Sequence, residues 1–230
     1  MKKVIIILAA ITLTMNSFGQ TNTNAMIEKI DFDYLEKYAK KERYREKIFS
    51  PKITFYQLRQ TLDDGTEIHI TGFSNTGFYE VRVPPLPVYW MEVYRYYPSG
   101  IIQEKGKEFG SVKIGIWRHY DQNGQLIKEE NCDEKFGAFG HEKVVCLLAE
   151  KELIGENGER LNRMQFDYKE NEHKWVILNF VYEIGGPQSV VYADEYIIDS
   201  RSGKIVSEAK RKAIKIPEVP RPKMNEKKIR

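Results

Sequence analysis

Four histidines, two cysteines and a large set of carboxylates carry the reactive side chains of this 230-residue chain, and their spacing decides what they can do. His141-Glu142 begins the pattern of a zinc helix, in which two His four residues apart hold the metal and the Glu serves as base, but Val145 stands where the second His is needed. His69, His119, His141 and His173 are scattered along the chain, so only the fold could gather a metal site from them, and none is expected. No Gly-x-Ser-x-Gly elbow and no phosphate-binding glycine-rich loop occurs. Asp63-Asp64 and Asp194-Glu195 are adjacent carboxylates, yet among 33 acidic residues adjacency says nothing about acid–base catalysis. The expectation is a protein that is not an enzyme and needs no cofactor.

What remains is a set of aromatic and basic side chains suited to recognition. Tyr94, Tyr96, Trp117 and His119 lie beside Arg95 and Arg118 in two short runs, and aromatic residues next to Arg are the composition of interface hot spots. These four are the candidate binding residues; the competing reading is core and cross-strand packing.

The runs belong to a repeat. Tyr94-Arg95-Tyr96-Tyr97-Pro98-Ser99-Gly100-Ile101-Ile102 and Trp117-Arg118-His119-Tyr120-Asp121-Gln122-Asn123-Gly124-Gln125-Leu126 both read aromatic strand, polar turn closed by Gly, second strand, and Gly100 and Gly124 lie 24 residues apart. Each is a β-hairpin that must stack on a neighbour to bury its apolar face. The surrounding elements follow from periodicity. Residues 25–47 show helical spacing among dense charges and predict one or two helical segments. Beyond Pro51 the alternation becomes two-residue: strands are expected on both sides of the Asp63-Asp64-Gly65 turn and over 78–83, with Pro84, Pro85 and Pro87 forming an ordered connector into the repeats. Residues 141–153 predict an amphipathic helix stopped by glycine, and 163–169, 174–183 and 190–199 a three-stranded meander.

The ends differ from the body. Lys2 and Lys3, an apolar run from Val4 to Thr14 and Ser17-Phe18-Gly19 make residues 1–20 a secretory signal peptide, with a soluble mature chain from Gln20 and no transmembrane span after cleavage. Residues 208–230 carry nine Lys or Arg against three Glu, with three prolines, and read as a flexible basic tail. Removing both ends from the net charge of +3 leaves the body at −5, which argues against a folded nucleic-acid-binding face. Export to an oxidising compartment favours a Cys132–Cys146 disulfide, closing a loop of about 15 residues worth roughly 3 kcal/mol in the chain-entropy model. Two separate thiols are the alternative.

Two resemblances add to this. Gly115-x-Trp117-x-x-Tyr120-x-x-Asn123-Gly124-x-Leu126-x-x-Glu129 resembles the MORN-variant repeat, over about residues 91–131. The first copy departs from it, with Tyr94 for Trp, Ser99 for Asn and a shorter turn. Proteins rich in such repeats are often described as antitoxins. Residues 141–207, ending in Tyr196-Ile197-Ile198-Asp199-Ser200-Arg201-Ser202-Gly203-Lys204-Ile205, resemble the PepSY fold of exported proteins and protease propeptides, for which an inhibitory role has been proposed. Physically, Asp199 is suited to cap that turn and Gly203 to take positive φ in it.

The sequence therefore predicts an α+β protein: a signal peptide over 1–20; a helical segment and an antiparallel sheet with two MORN-like hairpins over 21–140; a PepSY-like helix and meander over 141–207; and a tail over 208–230. The resemblances imply a periplasmic or secreted bacterial protein-binding module of immunity or inhibitor type, partnered by a toxin, hydrolase or envelope protein. The alternatives are a structural cell-envelope protein and an unrecognised hydrolase, the latter requiring a concave pocket with convergent polar groups.

Overall fold

Period-two alternation governs most of this chain, and the computed structural model, which describes residues 27–44, 53–155, 164–183 and 190–212, is built mainly of antiparallel strands. Eight form one sheet in sequence order: β1 (Lys40–Tyr44), β2 (Ile53–Thr61), β3 (Glu67–Phe73), β4 (Gly77–Val83), β5 (Met91–Tyr96), β6 (Ile102–Phe109), β7 (Val112–Tyr120) and β8 (Leu126–Asn131). Four more, β9 (Met164–Lys169), β10 (Lys174–Glu183), β11 (Val190–Asp199) and β12 (Ile205–Lys212), form a second meander. Helix α1 (Phe32–Tyr38) precedes the first sheet, and α2 (His141–Glu150) lies between the two in sequence. The α+β class holds, with strands dominating. The expected signal peptide and residues 213–230 of the expected tail lie outside the described residues.

Three expectations need correction. Among the described residues the helical region holds one two-turn helix: the Asp31 side chain caps it by accepting Tyr34 N–H at 2.9 Å, and Ala39, already extended, ends it. The charged run from Lys40 then joins the sheet as β1, pairing Lys40 with Gln57 through Tyr44 with Ile53. A strand at a sheet edge needs no apolar face of its own, and its charges discourage pairing with other chains. The C-terminal meander has four strands, because the supposed tail begins as β12, whose Ile205, Ser207 and Ala209 are half-buried while Val206, Glu208 and Lys210 are exposed. The expected disulfide is not formed. Cys132 is buried beside Val93 and Trp117, Cys146 sits on the exposed face of α2, and both are free thiols.

The repeat turns explain how the sheet keeps its register. Leu62, Tyr97 and Asp121 each donate their N–H to the carbonyl four residues on, and each accepts the N–H of the glycine three residues on. Gly65, Gly100 and Gly124 sit at φ +86°, +81° and +79°, in the left-handed region open to glycine. The same turn is thus used three times, and the turn closed by Gly100 is not shorter than the one closed by Gly124. Residues exactly one repeat of 24 apart are equivalent, which pairs Val93 with Trp117, Arg95 with His119 and Tyr96 with Tyr120. Tyr94 corresponds to Arg118, not to Trp117. The turns also hold the N-terminal segment: Ile30 N–H reaches Gly100 O at 2.9 Å, and a Cβ on Gly124 would lie 2.6 Å from Ile27.

One face of the eight-stranded sheet carries two cores. Over β2–β6, Tyr56, Leu58, Ile68, Ile70, Phe78, Tyr96 and Ile102 pack against Ile30 and Leu35 of the α1 region. Farther along, Phe109, Val112 and Ile114 meet α2 through Val144 and Leu148 and the second sheet through Phe166, Trp175, Ile177 and Ile198. The Phe109 and Phe166 rings are 4.0 Å apart, and Ser111 Oγ donates to Phe166 O at 2.9 Å, so one core joins both sheets. The Asp199 turn behaves as its sequence implies: its Oδ1 accepts Ser202 N–H at 2.8 Å and Arg201 N–H at 3.2 Å, and Gly203 has φ +71°.

Candidate functional site

With both cores on one face, the other face of the eight-stranded sheet is where aligned strands can present side chains. Neither helix nor the second sheet contributes to the small cluster there, which consists of Val93, Trp117 and Cys132 with Tyr79 and Met91 against them. The repeat creates this cluster. Gly115 takes φ +63° within β7, its N–H held by Asp133 Oδ1 at 2.9 Å and its carbonyl by Cys132 N–H at 2.9 Å. This bulge lays the Trp117 indole flat over Gly106, where a Cβ would come within 2.4 Å of the ring. Trp117 Nε1 donates to Lys107 O at 3.0 Å, and Lys113 Nζ caps the outer face 3.7 Å from the ring centroid. The Gly115-x-Trp117 signature is thus a kink and a lid for a glycine.

Above the cluster runs a row of polar residues paired across successive strands: Thr71 with Tyr79, Tyr79 with Arg95, Arg95 with Glu104, Glu104 with His119, His119 with Lys128. Glu104 is its centre. Only 8% exposed, it accepts from Arg95 Nη1 at 2.5 Å and Lys113 Nζ at 3.3 Å, with His119 Nδ1 3.3 Å away. Three cationic or protonatable groups around one buried carboxylate satisfy the charge that would otherwise make its burial costly. Arg95 also lies over the Tyr79 ring, 5.7 Å from its centroid. Burial pushes the Tyr79 hydroxyl and the nearby Glu108 carboxyl above their usual ranges, and Arg95 and Lys113 partly oppose the Glu108 shift. His119 Nε2 is buried without a hydrogen bond, 3.8 Å from the Glu130 carboxylate.

At the β3–β4 end of this row the face dips into a depression of about 340 Å3. Phe55, Thr71, Phe73, Tyr79, Arg95 and Gln103 border it, and the Phe55 and Phe73 rings lie 4.9 Å apart.

The four sequence-predicted residues divide between the faces. Tyr94 and Tyr96 lie on the α1 side, stacked 6.5 Å apart; Tyr96 is 3% exposed and donates to Glu80 Oε2 at 2.9 Å, while Tyr94 donates to Glu92 at 2.8 Å beneath the Arg82 guanidinium. Desolvation is the main force raising both hydroxyls. Trp117 is on the open face but fully buried. His119 is the member of the set that takes part in the polar row. Sequence reasoning missed Phe55, Phe73, Tyr79 and Glu104, which come from four different strands, although stepping Arg95 forward by 24 residues reaches His119.

Among the described residues no three His, Cys, Asp or Glu side chains gather as a metal site, and no helix is long and apolar enough to cross a membrane. Comparison of the chain with protein-family models, with curated proteins and with solved structures returned no match.

Proposed function

We propose that this chain is an exported, non-catalytic protein-binding module that docks its partner on the open face of the eight-stranded sheet, in the manner of an inhibitor or immunity protein. The observation carrying the reading is the row Tyr79–Arg95–Glu104–His119, which runs alongside the buried Val93 and Trp117 on the same face and beside an aromatic depression. Arg95 and Glu104 hold each other in place, so the surface is organised before a partner arrives, and less ordering entropy opposes association. A regular face of paired strands presents such groups at fixed spacing. The MORN-like and PepSY-like segments and the signal-like first twenty residues support the same reading, since the resemblances imply exported proteins that bind other proteins.

The test is capture from the native envelope by the purified chain. Arg95→Glu is expected to abolish capture of a defined envelope protein, at a cost in stability because it sets a second carboxylate against the buried Glu104, with a cooperative melting transition checking that the variant stays folded. Deletion of residues 213–230 is expected to leave capture intact at physiological salt. Capture lost with the tail and kept in Arg95→Glu would move the site to the basic segment. Co-purification of structural envelope components, insensitive to both changes, would instead favour the envelope-protein reading.

A further inference from the structure

Arg95 offers more than a structural ion pair. Its Nη1 gives one hydrogen bond to Glu104 Oε1, which leaves the rest of a five-donor fork, and no other described residue accepts from it. The side chain is 47% exposed at the rim of the depression, yet its position is fixed by a buried carboxylate on one side and the Tyr79 ring on the other. Glu104 is simultaneously held by Lys113 and faced by His119, so its charge is shared and does not fully neutralise Arg95. A preorganised guanidinium with spare donors is suited to a planar anion taken bidentately. The adjoining walls, Phe55, Phe73 and Tyr79, are suited to an apolar group.

Among the described residues the depression is wide open, and a small molecule lying in it would remain largely in water, whereas ligand pockets bury most of their occupant. A protein loop brings its own surface to cover the site. A chain-terminal carboxylate is commonly captured by a nest of backbone N–H groups, but here the charged group among the lining residues is the Arg95 side chain, with Thr71, Thr76 and Gln103 beside it, the chemistry of acidic-side-chain recognition.

We infer that this depression recognises a partner loop that presents an apolar side chain next to an Asp or Glu, with the apolar group against Phe55 and Phe73 and the carboxylate on Arg95. The inference rests on the open-face reading above and names the partner chemistry for it.

Blocked peptides titrated into the isotope-labelled chain test it by NMR. Acetyl-Gly-Phe-Asp-Gly-amide is expected to give saturable shifts at the amides of Thr71, Tyr79 and Arg95. The Phe-Asn and Ala-Asp peptides should bind about tenfold more weakly, the first through loss of a charge-assisted pair and the second through loss of an apolar contact. Arg95→Gln should remove the preference for Asp over Asn. If that variant fails to fold, Arg95→Lys keeps the charge for Glu104, loses the fork, and should still weaken the Phe-Asp peptide about tenfold. Equal binding of the Phe-Asp and Phe-Asn peptides, no saturable shift with Phe-Asp, or tighter binding of acetyl-Gly-Gly-Phe with a free terminus would each overturn the inference. If the peptides fail but Arg95→Glu still abolishes capture of the envelope partner, the acidic-loop inference falls and the open-face reading stands; failure of both removes both.

Discussion

Replacing Gly106 with Ala is a sharp perturbation of the open face, because the space the missing Cβ would enter is filled by the Trp117 indole. It would lie 2.4 Å from Cδ2 and Cε2 of Trp117 and 2.6 Å from Cγ, against an ordinary carbon–carbon separation of about 3.5–4.0 Å. The indole must retreat by more than about 1 Å, and its hydrogen bond to Lys107 O and the overlying Lys113 both resist. Overpacking of this kind costs about 1–3 kcal/mol, and a disrupted indole hydrogen bond adds about 0.5–1.5 kcal/mol. Ala recovers roughly 0.5–1 kcal/mol of the backbone entropy penalty of Gly. The net expectation is a loss of about 2 kcal/mol, or roughly 4–8 °C in melting temperature. Urea denaturation with a double-mutant cycle measures it. Trp117→Leu alone should cost about 2–4 kcal/mol, but Gly106→Ala in that background should be neutral or stabilising, a coupling of at least about 1 kcal/mol. Strict additivity, or a neutral Gly106→Ala in the parent chain, would refute the packing of indole on glycine.

Three further outcomes follow from the same structure. Burial lowers the pKa of His141 from its ordinary 6.5, so the unfolded chain takes up the proton first as pH falls, and stability present above about pH 6.5 is lost below it. His141→Leu should flatten that part of a pH–stability curve measured from pH 7.5 to 5, and an unchanged slope would contradict the assignment. Iodoacetamide should label the exposed Cys146 in the folded chain and spare Cys132, whose thiol burial pushes up; protection of both until reductant is added would restore the disulfide. A chain ending at Lys204 should be at least about 2 kcal/mol less stable than one ending at Lys212, because the β11–β12 ladder bonds contribute about 0.5–1.5 kcal/mol each. Equal melting temperatures would return β12 to the tail.

Much of the fold was legible because local rules and tertiary packing agree. Both repeat hairpins, β10 and β11 fall where alternation and turn residues place them, and the Asp199 and Gly203 turn has the expected conformation. The edge strands were not legible: Lys40–Tyr44 and Ile205–Lys212 look like solvated charge, since an edge strand needs only one partner and half a face. The candidate site was only partly readable. Matching Tyr94 to Trp117 aligned aromatic with aromatic, but the turn glycines are 24 residues apart and those two residues 23, and a slip of one residue in a strand exchanges faces. Val93, which carries no obvious signature, is the true counterpart of Trp117, and both are fully buried in one cluster. The depression was invisible because Phe55, Phe73 and Arg95 meet only after four strands have paired.

The central claim, that the open face of the eight-stranded sheet is the docking surface, is tested most directly by photo-crosslinking in the native envelope. A crosslinking amino acid at Arg59, exposed on the open face, is compared with one at Arg118 on the opposite face and one at Lys210 on β12. The account predicts a discrete protein adduct from position 59 that is lost on Arg95→Glu, and none from 118 or 210. Adducts from 118 or 210 with none from 59 would contradict it.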